Sequence, residues 1–248
     1  MTASPTELAI HDALTHQRTA FDLVDPEQSP AEIHKEVLYG FHILIHTPLL
    51  LPENVGGTLS CTNCHFSAGN TLGGKGGSIS LAGIAAVYPS YNERSKTVLT
   101  LEERVNNCFE RSLNGKPLNF DSKEMKAIIT YLHWISLDFP IYKPLPWRGL
   151  TPLKMTREPD LTNGEKIYIT NCADCHGKDG EGKIRVPALW GKNSFNDGAG
   201  LNQLETLSAF IYANMPYKNE SLSPQEAFDV AAFLKNQIRP HFENVKNK

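Results

Sequence analysis

The sequence predicts an all-α protein built from two similar halves, and three observations lead to this prediction. The motif Cys-x-x-Cys-His occurs twice, at residues 61–65 and 172–176. Apolar residues at helical spacing surround each copy of the motif. A proline-rich stretch at residues 139–160 lies between the two copies. The chain has 248 residues, which is enough for two domains of about 100 residues each.

Residues 1–30 are expected to form an N-terminal helical extension that packs across the first domain. Over residues 7–24 the apolar side chains recur at helical spacing, and Pro26 and Pro30 follow. The N-terminus shows no basic segment followed by an apolar core, so no signal peptide is visible.

The first domain is expected at residues 31–138. Its first predicted helix covers residues 32–46 and is stopped by Pro48. A glycine-rich loop at residues 69–83 follows the first motif. The last predicted helix of this domain covers residues 121–135, and its apolar face is made by Met125, Ile128, Ile129, Leu132 and Ile135.

Another helix is predicted to begin at Thr100. Thr100 and Glu103 have the spacing of a capping box, in which each side chain accepts a hydrogen bond from the other residue's backbone N–H, and Gly115 supplies a stop. This helix contains Cys108, which lies outside the two motifs although the other four of the five cysteines lie within them.

Residues 139–160 are predicted to be a semi-rigid linker, because they contain five prolines and little periodicity. The second domain is expected at residues 161–248. Its helices are predicted at residues 161–170, 204–213 and 223–238, and Ser223 caps the last of them.

Composition and charge exclude two classes of function. The formal net charge is −3 and there is no long run of like charge, so we expect no binding to nucleic acid. No stretch approaches the roughly 18 consecutive apolar residues of a membrane span, so we expect none.

The Cys-x-x-Cys-His motif is typical of covalent attachment of haem c. Two cysteines form thioethers with the haem, and the histidine binds its iron. We therefore predict two covalently bound haem c groups, with thioethers at Cys61, Cys64, Cys172 and Cys175 and iron ligands at His65 and His176. A zinc site shared by the four cysteines is disfavoured, because it leaves both histidines unexplained.

The second haem needs a ligand on its other face, and Met215 is predicted to supply it. Histidine and methionine together raise the reduction potential and are typical of electron-transfer cytochromes. Met155, in the linker, is the weaker alternative ligand. The other alternative is that Met215 only packs in the core and binds no iron.

The first haem has several candidate ligands on its other face. Cys108 follows His65 by 43 residues and Met215 follows His176 by 39, so the repeat places Cys108 where the second domain has methionine. Order along the chain alone leaves other side chains open, namely Met125, His133, His34, His42 and His46.

Cys108 has polar neighbours along its predicted helix. Arg104, Arg111 and Ser112 are four, three and four residues away and share its face. A free cysteine is often a buried packing residue, but such a residue has apolar neighbours. Cations and a metal both favour the thiolate, so Cys108 is predicted to be a haem ligand or a reactive thiol.

At these residues the sequence resembles the di-haem c-type thiosulfate dehydrogenases, which interconvert thiosulfate and tetrathionate. The match runs through CTNCH, YNERSKTVLTLEERVNNCFERSLNG, CADCH and NMP in that order and covers most of residues 40–240. The segment at residues 91–115 is its specific part, because CxxCH alone fits many cytochromes.

The resemblance implies two cytochrome c-type (class I-like) domains with the active site between them. It implies that His65 and Cys108 bind the first iron, and that His176 and Met215 bind the second. By motif position, Arg94, Arg104 and Ser112 match the substrate-site residues of the family. Some members have a competing lysine before the methionine, whereas this chain has Asn214.

The function implied is the reaction 2 thiosulfate = tetrathionate + 2 electrons, catalysed at the first haem, with electrons passing through the second. One alternative is a non-enzymatic di-haem electron carrier. Another is a sulfur-oxidation cytochrome that joins thiosulfate to a carrier protein's cysteine. A small c-type cytochrome is the expected redox partner. Because haem attachment normally takes place outside the cytoplasm, we expect a periplasmic protein whose signal peptide is absent from this sequence.

Overall fold

The computed structural model describes residues 23–71, 79–145 and 147–243. Most of the predicted N-terminal helix at residues 7–24, and the centre of the glycine-rich loop, lie outside the described residues. The α-helices are α1 (His34–Ile45), α2 (Thr47–Leu50), α3 (Leu101–Asn107), α4 (Lys123–Trp134), α5 (Leu161–Asn171), α6 (Ala173–His176), α7 (Leu204–Asn214) and α8 (Pro224–Lys235).

Helices dominate the described chain, which confirms the predicted fold class. Two features were not predicted. A short antiparallel hairpin pairs β1 (Ser90–Asn92) with β2 (Thr97–Leu99), and a single π-helical turn (Cys108–Ser112) continues α3. In addition, α1 ends one residue before His46, and Pro48 lies inside the first turn of α2 rather than acting as the stop. Proline has no backbone N–H. It is accommodated there because the N–H groups in the first turn of a helix have no acceptor within the helix.

The first domain is held together by a close crossing of α1 and α4 at Gly40. A Cβ atom at Gly40 would lie 2.1 Å from the carbonyl oxygen of Ala127 and 2.7 Å from Cβ of Tyr131. Only glycine therefore allows the two helices to approach this closely.

The second domain repeats this crossing with α5 and α8. A Cβ atom at Gly164 would lie 2.1 Å from the carbonyl oxygen of Asp229 and 3.0 Å from Cβ of Phe233. Glycine in the first helix meets two residues spaced by four in the last helix, as it does in the first domain. The two halves are therefore a structural repeat.

Part of the proline-rich segment packs against the first domain. Phe139, Leu145 and Trp147 are buried in a small cluster with Ala82 and Val87, and the indole Nε1 of Trp147 donates a hydrogen bond to the carbonyl of Ala82 at 3.0 Å. The segment is therefore fixed on one domain at its start, although it contains no regular helix.

The two domains contact each other through apolar side chains. Phe195 and Ala199, from the second half of the chain, are buried in the core of the first domain. On another side, the ring of Phe66 makes edge contacts with Phe210 at 6.2 Å and Tyr217 at 5.3 Å between centroids. No helix within the described ranges is long and apolar enough to cross a membrane.

Candidate functional site

A cavity of about 260 Å³ lies in the first domain, where the second domain meets it. Most of its lining is apolar, and Phe195 and Ala199 close one side. The polar or reactive residues that line it are Ser60, Cys61, Cys64, His65, Ser80, Tyr88, Arg104, Cys108, Ser112 and Arg148. The structure thus brings the first haem motif and the predicted reactive cysteine to one cavity.

The helix that carries Cys108 is fixed at its start and along its length. The predicted capping box is confirmed: the backbone N–H of Thr100 donates to Glu103 Oε2 at 2.8 Å, and that of Glu103 donates to Thr100 Oγ1 at 3.2 Å. The buried side chain of Asn106 exchanges two hydrogen bonds with the backbone of Leu118. The position of Cys108 is therefore set by a rigid helix that ends in the π turn.

Arg104 and Cys108 are in direct contact in the cavity wall. Arg104 Nη1 lies 2.8 Å from Cys108 Sγ, at hydrogen-bond distance. The Cys108 sulfur is the main cause that raises the pKa of Arg104, and a hydrogen bond with Tyr88 adds to it. Arg104 therefore stays cationic. Its position beside the sulfur is the one that the helical spacing predicted.

The other two predicted neighbours of Cys108 lie in different places from each other. Ser112 lines the cavity, as predicted. Arg111 does not, because its guanidinium lies over the ring of Phe242, 4.7 Å from the centroid. Arg94 is exposed in the turn between β1 and β2, where its backbone N–H donates to Asn92 Oδ1 at 3.1 Å. The structure therefore brings Arg104 and Ser112 to the cavity with Cys108, and leaves Arg94 on the nearby surface.

Two residues that line the cavity were missed from the sequence. Tyr88 contacts Arg104, and Arg148 lies over the Tyr88 ring at 5.8 Å from its centroid. Tyr88 precedes the hairpin and Arg148 lies in the proline-rich segment, so both reach the site through tertiary packing. No local pattern could have shown this.

Two arginines, Arg104 and Arg148, line this cavity. Burial and the charges of Arg94 and Arg104 lower the pKa of the neighbouring Arg111, and the charge of Glu110 raises it. In the described part of the chain, no carboxylate forms an ion pair with any of these four arginines. Such a group of cations is stabilised by bound anions.

The first haem motif is held beside the cavity by α2. The backbone N–H of Cys61 donates to Thr47 Oγ1 at 3.1 Å. His65 Nδ1 lies 2.6 Å from the carbonyl oxygen of Ile79, and since a carbonyl only accepts, Nδ1 carries the proton. Burial lowers the pKa of His65 to about 4. The imidazole is therefore neutral, with Nε2 available to bind a metal.

The second motif repeats this arrangement. His176 Nδ1 lies 2.9 Å from the carbonyl oxygen of Pro187, and burial lowers the pKa of His176. Met215 directly follows α7 and packs on the same apolar cluster as Cys172. Met155 is 39% exposed, so packing favours Met215 as the ligand.

The other candidate ligands of the first haem do not line the cavity. Met125 is 1% exposed in the core, and His34 contacts Ser29 Oγ. The rings of His42 and His46 stack on the helix surface, and His133 is exposed. Cys108 alone among the predicted candidates reaches the cavity.

The residues present fit haem c. In the first domain, thiols and a neutral histidine meet a large apolar cavity with Cys108 on its wall. Cys61 and Cys172, one from each pair, pack on different apolar clusters. Within the described residues, the cysteines therefore form no common metal site.

Fold and site together define a c-type cytochrome with two domains. Residues 56–141 match the family model described as SoxA/TsdA, cytochrome c domain. Residues 159–234 match the model described as Cytochrome C oxidase, cbb3-type, subunit III. A match to cytochrome c domains implies that the chain binds haem c.

Similar proteins identify the family. The chain is 37% identical to the thiosulfate dehydrogenase of Allochromatium vinosum, over 84% of this chain and 80% of that protein. It is 41% identical to the thiosulfate dehydrogenase of Thiomonas intermedia, over 83% and 67%. The structure of thiosulfate dehydrogenase (TsdBA) from Marichromatium purpuratum matches with a TM-score of 0.86 and 28% identity, covering 96% of this chain and 53% of that one. The chain belongs to the thiosulfate dehydrogenase family and is an oxidoreductase.

Proposed function

We propose that this protein interconverts thiosulfate and tetrathionate in the periplasm, with the sulfur chemistry at Cys108. The observation that carries the proposal is the contact between Cys108 and Arg104 in a cavity that is also lined by Arg148, where neither arginine forms an ion pair with a carboxylate of the described residues. A thiol there can react with sulfur, and the cations suit a substrate with a double negative charge. The names of the relatives support thiosulfate as that substrate.

The proposed site contains two haem c groups. Cys61, Cys64 and His65 hold the first, with Cys108 as its second iron ligand. Cys172, Cys175, His176 and Met215 hold the second. When bound, the haems supply one-electron acceptors and donors, which pass electrons to or from a small c-type cytochrome.

The proposed reaction proceeds in two steps at Cys108. In the first, the Cys108 thiolate and the sulfane sulfur of one thiosulfate form an S–S bond with loss of two electrons. In the second, another thiosulfate attacks this bond at the substrate sulfur, which releases tetrathionate and restores the thiolate. Both steps are reversible, and neither requires a proton.

The arginines bind and orient the two anions. Arg104 holds the sulfur nucleophile and can donate to a sulfonate oxygen, and Ser112 adds a hydroxyl donor in the same wall. Arg94 lies at the nearby surface, where it adds positive charge for the second anion. Fixed cations offset the repulsion between two dianions, which rises steeply as water is excluded.

The experiment is protein-film voltammetry of the di-haem protein with thiosulfate and with tetrathionate. We expect an oxidative current with the first and a reductive current with the second, with tetrathionate identified as the oxidation product. Sulfate is the control, because it has the same charge without a sulfane sulfur. No response to either sulfur substrate would contradict the proposal.

The Cys108→Gly variant tests the role of the thiol. It is expected to keep both haems covalently attached and to lose nearly all turnover. A variant that retains turnover at the wild-type rate contradicts the assignment of Cys108.

A further inference from the structure

A buried asparagine of the second domain contacts the π turn that begins at Cys108. Asn196 is 2% exposed. Its Nδ2 donates to the carbonyl oxygen of Glu110 at 2.8 Å and to Asn114 Oδ1 at 3.1 Å. Its backbone N–H donates to the carbonyl oxygen of Arg111 at 3.2 Å. The loop of the second domain therefore contacts the backbone of the π turn directly.

The π turn depends on these bonds because its own backbone cannot satisfy every carbonyl. In an α-helix, the N–H of Asn114 would donate to Glu110. Here the Asn114 N–H donates to Arg111 at 3.3 Å, and the N–H of Gly115 donates to Phe109 at 2.8 Å. The Glu110 carbonyl is thus left for Asn196. A carbonyl shielded from water without a partner is costly, so the hydrogen bond from Asn196 stabilises the turn in this form.

The loop that carries Asn196 is itself rigid and reaches the cavity. Asn196 Oδ1 accepts a hydrogen bond from the N–H of Gly198 at 3.1 Å, and the backbone carbonyl of Asn196 accepts one from the N–H of Ala199 at 3.0 Å. Phe195 and Ala199, on either side, line the same cavity as Cys108. One short loop therefore shapes a wall of the cavity and holds the turn that bears the sulfur.

We propose that Asn196 is a positioning residue for Cys108. By fixing the carbonyls of Glu110 and Arg111, it holds the π turn and sets the direction in which the Cys108 side chain enters the cavity. This inference rests on the proposed function, because it takes Cys108 as the iron ligand and reacting thiol. The second domain then completes the sulfur site in addition to carrying electrons.

The test is Asn196→Asp, a variant of nearly the same shape. It replaces the Nδ2 donor with an acceptor that faces two other acceptors. In electron paramagnetic resonance of the ferric protein, we expect the signal of the His/Cys haem to shift or split and that of the His/Met haem to stay unchanged. We expect kcat to fall about tenfold or more, as for the loss of one buried hydrogen bond, and KM to change far less.

Asn202→Asp is the matched control. The Asn202 amide donates to the carbonyl of Asp197 at 2.9 Å, within the second domain. The same substitution there is expected to leave the His/Cys signal and kcat at their wild-type values. A similar shift in this control would overturn the assignment to Asn196.

A wild-type His/Cys signal and kcat in Asn196→Asp would overturn the proposal. If that variant loses haem, the measurement moves to Asn114→Gly, which removes one acceptor of Asn196 and tolerates the positive φ of 48° at this position. An unchanged spectrum there would also overturn it. The spectra need no substrate, so absence of thiosulfate turnover in the wild type contradicts the proposed function separately.

Discussion

The two domains share one scaffold and differ at the residue that follows the third main helix of each. Gly40 and Gly164 make the same close helix crossing. In the second domain, α7 ends normally and Met215 follows it. In the first domain, α3 continues into a π turn that starts at Cys108. The shared scaffold thus carries a cysteine at the start of a π turn in one domain and a methionine after a regular helix in the other.

The domains also differ in how they treat buried charge. Asp229 of the second domain is fully buried, and Arg157 and Asn163 donate hydrogen bonds to its carboxylate. The equivalent position of the first domain is Ala127. Instead, the first domain places Arg104 and Arg148 at its cavity, and within the described residues neither forms an ion pair with a carboxylate. The buried charge is paired inside the fold of the second domain, whereas in the first domain the cations face a cavity.

The largest expected effect comes from making the two sites alike. Cys108→Met gives the first domain the sulfur side chain that is proposed as the iron ligand in the second. We expect turnover with thiosulfate to fall at least about 10³-fold, as when a nucleophile is removed, while both haems stay bound. Steady-state kinetics and haem quantification measure this, with the reduction potential of the first haem expected to rise. Turnover within tenfold of the wild type would show that the thiol is dispensable.

The cationic site is tested next by Arg104→Gln. Loss of a charged hydrogen bond costs about 1.5–3 kcal/mol, so we expect kcat/KM for thiosulfate to fall about 100-fold at the upper end of that range. Arg185→Gln, an exposed arginine of the second domain, is the control and is expected to have no effect. Equal losses in both variants would point to overall charge rather than to the site.

The shared crossing is tested by Gly40→Ala and Gly164→Ala. Each new Cβ would overlap a backbone carbonyl oxygen, so we expect each variant to lose about 1–3 kcal/mol of the free energy of unfolding. Gly200→Ala has open space around the new atom and is the control. Denaturant unfolding measures all three. If Gly40→Ala proves neutral, the crossing of the first domain is less tight than that of the second.

The smallest expected effect is the acid sensitivity of the second domain. Burial alone would raise the pKa of Asp229, but the hydrogen bonds from Arg157, Asn163, Asp160 and Gln225 lower it to about 2. The ordinary value is about 3.9, so this carboxylate contributes about 2 kcal/mol of stability above pH 4, which is lost as the pH falls towards 2.

The matched variant for this effect is Asp229→Asn, which is expected to be less stable at neutral pH and to lose less stability between pH 4 and pH 2. Unfolding curves of wild type and variant at several pH values measure this difference. Identical pH dependence in the two proteins would contradict it. Other carboxylates titrate equally in both proteins and cancel in the comparison.

Local features of the fold could be predicted from the sequence. Thr100 and Glu103 cap a helix because capping requires only neighbouring residues, and Ser223 and Glu226 do the same for α8. The helix from Leu161 began where it was predicted. The three-residue strands of the hairpin were too short to give a periodic pattern.

The site could be predicted only where helical spacing held. Arg104 lies four residues before Cys108 in regular α-helix, so its contact was predicted correctly. Regular helical spacing predicted Arg111 on the cavity face. It lies elsewhere because it is within the π turn, which changes the angle between successive residues. Tyr88, Arg148 and Asn196 arrive from distant segments, and tertiary packing alone places them.

The π turn has a consequence for how such a site can arise. A π turn takes up one more residue than an α turn while the helix continues in the same direction. A helix can therefore gain a residue at this point without displacing Gly40 from Ala127. An insertion inside α1 or α4 would instead shift the register of that crossing. The first domain can therefore differ from the second at its sulfur residue while both keep the same helix crossing.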